Sequence, residues 1–183
     1  MIELAPGTSV LFMKVGTHAQ EDLGSILARK RKEIEDSGFS MWGYGGNTCH
    51  PRTMVQPFAR AASGRIVLCM QPMKSSHMAE RIRAVDYSVD GVHWQPVPQA
   101  INVLGSRYAL CIDSLEEVDE SLDLAGTRVA LGNSKGLDGG RYIGGRVDKA
   151  CLEIVELETA EPTRVDFGLA ARLVEPYAVL LRG

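Results

Sequence analysis

The sequence predicts an α+β protein with a β-rich core, either a small mixed sheet or a partly closed barrel. Three observations carry this expectation. Short apolar runs rich in Val, Ile and Leu recur along the chain at intervals suited to a small sheet. Only the segment after Thr17 keeps a helical period over several turns. Gly, Pro and Asp punctuate the rest. A length of 183 residues fits one domain spanning 1–183, with Pro96 and Pro98 marking the one place, near 96–98, where it would subdivide.

Ser9–Gly16 (SVLFMKVG) reads as the first strand. Thr17-His18-Ala19-Gln20 then has the spacing of a capping box. Ala19, Leu23, Ile26, Leu27 and Ile34 follow at helical spacing, so one long helix is expected to run to Ser37 and end on Gly38. Its Arg29-Lys30-Arg31-Lys32 cluster is followed by Glu33, Glu35 and Asp36, the pattern of a solvated face. A loop is expected from Phe39, then a short helix within 55–63, with Pro57 suited to its first turn.

Ile66–Met70 is apolar throughout and should be a central strand. Gln71–His77 reads as a loop. Arg81–Val89 alternates as a strand, and Ser88-Val89-Asp90-Gly91 should turn it toward His93-Trp94 as a hairpin. Ile101–Leu104, Tyr108–Asp113, Arg128–Leu131, Cys151–Leu157 and Tyr177–Leu181 are further short strands, with polar excursions at 116–123 and 158–162. The last of these, YAVLL, offers an edge for pairing in a homo-oligomer.

Composition narrows the function classes. A net charge of −3 disfavours long nucleic acid, while a local positive pocket for a small anion remains compatible with it. No apolar run reaches the ~20 residues needed to span a bilayer, and the N-terminus lacks the basic start of a leader, so a cytoplasmic protein is expected. Cys69, Cys111 and Cys151 sit in apolar runs and suit buried packing. The spacings of zinc sites are absent, so neither metal nor cofactor is expected.

Two stretches carry chemistry. The first holds Trp42, Tyr44, Gly45, Gly46, Asn47, Cys49, His50 and Arg52 within a few residues. Trp42 and Tyr44 offer planar stacking surfaces, and the glycine pair allows a ligand to approach the backbone. Arg52 would pair with an anion, beside Gln56 and Arg60, which share a face of the short helix. The second stretch, 132–146, is rich in glycine and supplies Lys135, Arg141 and Arg146 as phosphate partners in a backbone nest. Together they indicate a non-catalytic module binding a small anionic nucleotide-like ligand, either a modified base or a cyclic or phosphorylated nucleotide. Two alternatives stand beside it. One is a cysteine enzyme in which Cys49 attacks, with His50 or the more distant His18, His77 or His93 as base. The other is a protein-interaction domain using the same Trp, Tyr and Arg residues.

The order strand, long helix, Gly38-Phe39 loop, short helix, then Ser63-Gly64-Arg65-Ile66-Val67-Leu68-Cys69-Met70-Gln71-Pro72 resembles the front half of PUA-like domains, particularly the EVE branch. The resemblance covers the first 72 residues. It implies a pocket for a modified base or RNA, with Trp42 and Tyr44 as its walls.

Overall fold

Strand β1 (Ser9–Thr17) alternates its side chains between two apolar environments: Leu11, Met13 and Val15 pack in one cluster, and Val10 and Phe12 in another. A strand buried on both faces explains why its sequence is apolar without a break up to Lys14. The computed structural model describes residues 2–17, 21–63, 65–74, 82–144, 147–156 and 161–183, without the side chains of residues 17 and 74. His18, Ala19, Gln20, His77 and Arg146 lie outside the described residues. Thr17 closes β1, and it is Asp22 that caps α1 (Leu23–Ser37), accepting from the Ser25 backbone N–H at 2.9 Å. Gly38 ends the helix at φ 82°, donating to the Ile34 carbonyl at 2.8 Å.

The expected loop after Phe39 begins instead with a strand, β2 (Ser40–Tyr44). A single π-type turn over 51–55 leads into α2 (Gln56–Ala61), with Pro57 in its first turn. β3 (Ile66–Lys74) runs four residues past Met70, so 71–74 is strand rather than loop. β4 (Asp86–Ser88) and β5 (Gln95–Pro96) form the expected hairpin, its turn held by Asp90 Oδ1, which accepts from Val92 N and His93 N.

The second half is more extended than short apolar runs suggest. β6 (Tyr108–Asp123) continues straight through the acidic stretch read as a polar excursion, because its outward positions there face solvent while Leu115 and Leu122 stay buried. β7 (Thr127–Val129), α3 (Gly139–Ile143) and β8 (Lys149–Ile154) follow. β9 (Arg164–Arg182) absorbs Tyr177–Leu181 into a strand of 19 residues. Residues 101–104 form no regular strand, contributing one bridge between Leu104 and Arg83.

The described strands make one sheet in the order β2-β6-β9-β3-β1-β8-β7, with β4 added beside β9 and β5 beside β4. β1 and β3 are parallel, in register from Ser9 with Ile66, and every other pairing is antiparallel. β3 is central, as its apolar run implies. The YAVLL segment is paired within the chain, 178–180 with β6 and 180–181 with β4, so Leu180 is flanked on both sides by Tyr108 and Ser88. The fold is α+β with a β-rich sheet that curls without closing into a barrel. Its curl brings Trp42 on the β2 edge and Cys151 on β8 into one cluster with Leu27 and Phe58 from the helices. Among the described residues, no helix is long and apolar enough to cross a membrane.

Candidate functional site

The sheet leaves a gap where β1 outruns its neighbour. β8 pairs with β1 from Ser9 to Met13, the last of these opposite Lys149, and Asp148 O accepts from Lys14 N at 2.8 Å just before it, while β1 continues to Thr17. Across from that uncovered end stands the outer edge of β2. The space between them is a pocket of about 310 Å³, lined by 13–16 of β1, Trp42–Gly46, Asp148 and Lys149. Unpaired strand edges supply backbone donors and acceptors to such a gap.

Lys149 is the group that makes this pocket chemically distinct. Opposite Met13 and two residues before Cys151, it faces the interior of the curl. Its side chain is only 8% exposed. A lysine buried to that degree is rare unless paired. Its ammonium donates to Asp148 Oδ1 at 2.8 Å, which uses one of three donors. A Cβ built on Gly46 would lie 3.2 Å from that ammonium, and Gly46 holds φ 91°. Any side chain at Gly46 would therefore crowd the cation as well as strain the backbone. Lys14 stands at the rim, on the opposite face by strand alternation.

The predicted site residues divide sharply. Gly45 and Gly46 line the pocket. Trp42 and Tyr44 line it too, but from inside the core: they are 8% and 6% exposed, and the Tyr44 hydroxyl donates to the Cys49 carbonyl at 2.6 Å. They cannot serve as open stacking platforms, because alternation on β2 turns both rings inward with Leu110 and Tyr108 opposite them. Burial also pushes the Tyr44 phenol far above its ordinary range.

The predicted cations lie elsewhere. Asn47 is exposed, and Arg52 reaches over the β4–β5 turn, its Nη1 3.8 Å from a Cβ built on Gly91. Arg60 donates to Gln56 Oε1 at 3.5 Å on α2. Arg141 is exposed on α3, where its own backbone N–H donates to Asp138 Oδ1 at 3.0 Å. The first turn of α3 is thus capped by the protein's own carboxylate. Lys135 lines a separate open groove of about 1020 Å³ between α2 and the chain leaving β7, with Phe58, Arg65 and Leu131. Gly132 of the second stretch approaches the 51–55 turn, with 3.1 Å between its Cβ position and Met54 Sδ.

Gln56 is a structural residue. It is buried, and its Nε2 donates to the carbonyls of Val89 and Ala178, each at 2.9 Å. Gln56→Leu should leave both acceptors without a partner and cost roughly 2–3 kcal/mol. Urea unfolding checks this.

Among the described residues, no histidine is hydrogen-bonded to the Cys49 thiol, and His18 and His77 lie outside them. Cys49 is buried with its Sγ against Cys151 Sγ, while His50 Nδ1 accepts from Arg52 N at 3.2 Å and its ring packs edge-on to Tyr108. Sulfur and imidazole therefore have different neighbours. His93 is held by Asp90 in an exposed turn. Among the described residues, no three His, Cys, Asp or Glu side chains gather as metal ligands.

Sequence reasoning missed Lys149. Its signal was present: a lysine opening the run Lys149–Ile154, whose alternation places it on the same face as Cys151. Compared with family models, curated proteins and solved structures, the chain matches none of them.

Proposed function

We propose that the gap between the β2 edge and the far end of β1 binds a small, planar, anionic ligand of nucleotide type, without catalysis. The observation that carries this reading is the inward ammonium of Lys149 beside the bare backbone of Gly45 and Gly46. A buried cation with unfilled donors favours a phosphate or carboxylate oxygen. Strand edges on both sides suit the hydrogen-bonding rim of a base, and a volume near 310 Å³ lies at the small end of ligand sites. The pocket therefore takes one nucleotide or base, not a polymer. The resemblance of the first 72 residues to PUA-like domains points the same way. Trp42 and Tyr44 contribute the wall of the pocket, and among the described residues the phosphate-neutralising role passes from Arg52, Lys135 and Arg141 to Lys149.

The test uses Trp42 as reporter in a Trp94→Phe background. Nucleoside monophosphates should change Trp42 emission saturably, and the matching nucleosides should bind more weakly. Lys149→Met should raise Kd at least about tenfold, near 1.4 kcal/mol, with the circular dichroism spectrum retained. If no nucleotide perturbs Trp42, or Lys149→Met binds equally well, the reading fails.

A further inference from the structure

The two walls of the pocket also bring two thiols together. Cys49 Sγ lies 3.9 Å from Cys151 Sγ, and both residues are buried. Cys151 is two residues beyond Lys149 on the same face of β8. Cys49 is three residues beyond Gly46 and holds φ 57°, a left-handed conformation that is costly for a residue with a Cβ. Its carbonyl is the acceptor for the Tyr44 hydroxyl. The sulfurs thus connect the loop wall to the strand wall. Cys69 and Cys111 belong to two other clusters.

We propose that Cys49 and Cys151 are a modification site at which an oxidant of the peroxide class forms a reversible disulfide that narrows the pocket. Its effect on ligand rests on the proposed function; the crosslink itself does not. The Cys49 thiolate attacks one oxygen of hydrogen peroxide and the O–O bond breaks. The departing hydroxide takes up the thiol proton and leaves as water, with Cys49 now a sulfenic acid. The Cys151 sulfur then bonds to the Cys49 sulfur, and the hydroxyl group departs with the Cys151 proton as a second water. Two thiols lose two electrons and one peroxide gains them. A dithiol reverses the bond by exchange.

Closure must shorten 3.9 Å to the ~2.05 Å of a disulfide. β8 is held between β1 and β7, so the loop is the partner that moves. Cys49 then draws its carbonyl, the Tyr44 hydroxyl and Gly46 toward Lys149, which Gly46 already closely approaches. The hydrogen bond with Cys49, followed by burial, holds the Cys151 thiol above its ordinary range, so Cys151 suits the second, resolving step rather than the first attack.

The experiment treats the folded full chain with hydrogen peroxide, blocks remaining thiols by alkylation, and maps peptides by mass spectrometry. A Cys49–Cys151 crosslinked peptide, lost on dithiothreitol treatment and absent from Cys151→Ser, is the expected result. In the Trp94→Phe background the oxidised protein should show reduced acrylamide quenching of Trp42, and peroxide-treated Cys49→Ser should not. Oxidation that yields only sulfinic or sulfonic acids, a crosslink to Cys69 or Cys111, or a disulfide that leaves Trp42 quenching unchanged overturns the proposal. Nucleotide binding that fails in both redox states sinks the ligand reading alone, since neither of these readouts needs ligand.

Discussion

Trp42→Ala should lower stability by about 3–5 kcal/mol, the range for truncating a large core aromatic. The indole sits on β2 opposite Leu110 and belongs to the same cluster as Val15, Leu27 and Leu68. Removing it takes away the ring that packs the sheet edge against the rest of the curl. It also opens the pocket from within, because Trp42 is part of its lining. A residue whose ring stacked on ligand from the surface would behave oppositely: binding would vanish while the melting temperature held. Thermal unfolding by circular dichroism separates the two. A loss under 1 kcal/mol would contradict the inward packing of β2.

The reason this position misleads in sequence is physical. Trp-Gly-Tyr-Gly-Gly reads as loop because glycines end most strands, yet Gly43 falls on the outer face of β2 where no Cβ fits. An added one would lie 2.2 Å from Ser106 Oγ and 2.9 Å from Val103 Cγ1. The glycine marks a close approach by a segment distant in sequence, 103–106, and no local pattern reports that. Features governed by local rules were legible: β1, the Gly38 helix stop, the Asp90 turn and central β3 each follow from neighbours in sequence. The long β6–β9 pairing was not, since Glu116, Glu117 and Glu120 look like loop until Ala170, Leu169 and Phe167 are found opposite them. For the site, the glycine pair was legible and its cation was not. Lys149 becomes significant only once β8 stops short on β1.

Glu33→Ala should be comparably severe, at about 3–5 kcal/mol, for an electrostatic reason. Sequence placed Lys30 and Glu33 on a solvated face, and Arg31 and Lys32 are indeed exposed. Lys30 and Glu33 themselves are buried, at 4% and 3% exposure. Lys30 Nζ donates to Glu33 Oε2 and to the Asn102 carbonyl, both at 2.9 Å, while Glu33 also accepts from Ser40 Oγ and from Asn102 N at 3.0 Å. One carboxylate therefore fastens α1 to the start of β2 and to the connection before β6. Burial is the largest influence on Lys30 and lowers its pKa, with Glu33 opposing that shift. Deleting Glu33 strands the ammonium away from water and leaves the Ser40 hydroxyl and the Asn102 N–H without their acceptor. Adding Lys30→Met should recover part of the loss, because the double variant buries no charge. Urea unfolding of both singles and the double measures that coupling. Strictly additive losses would mean the two side chains do not act as a buried pair, and α1 would then be held to the sheet by its apolar face alone.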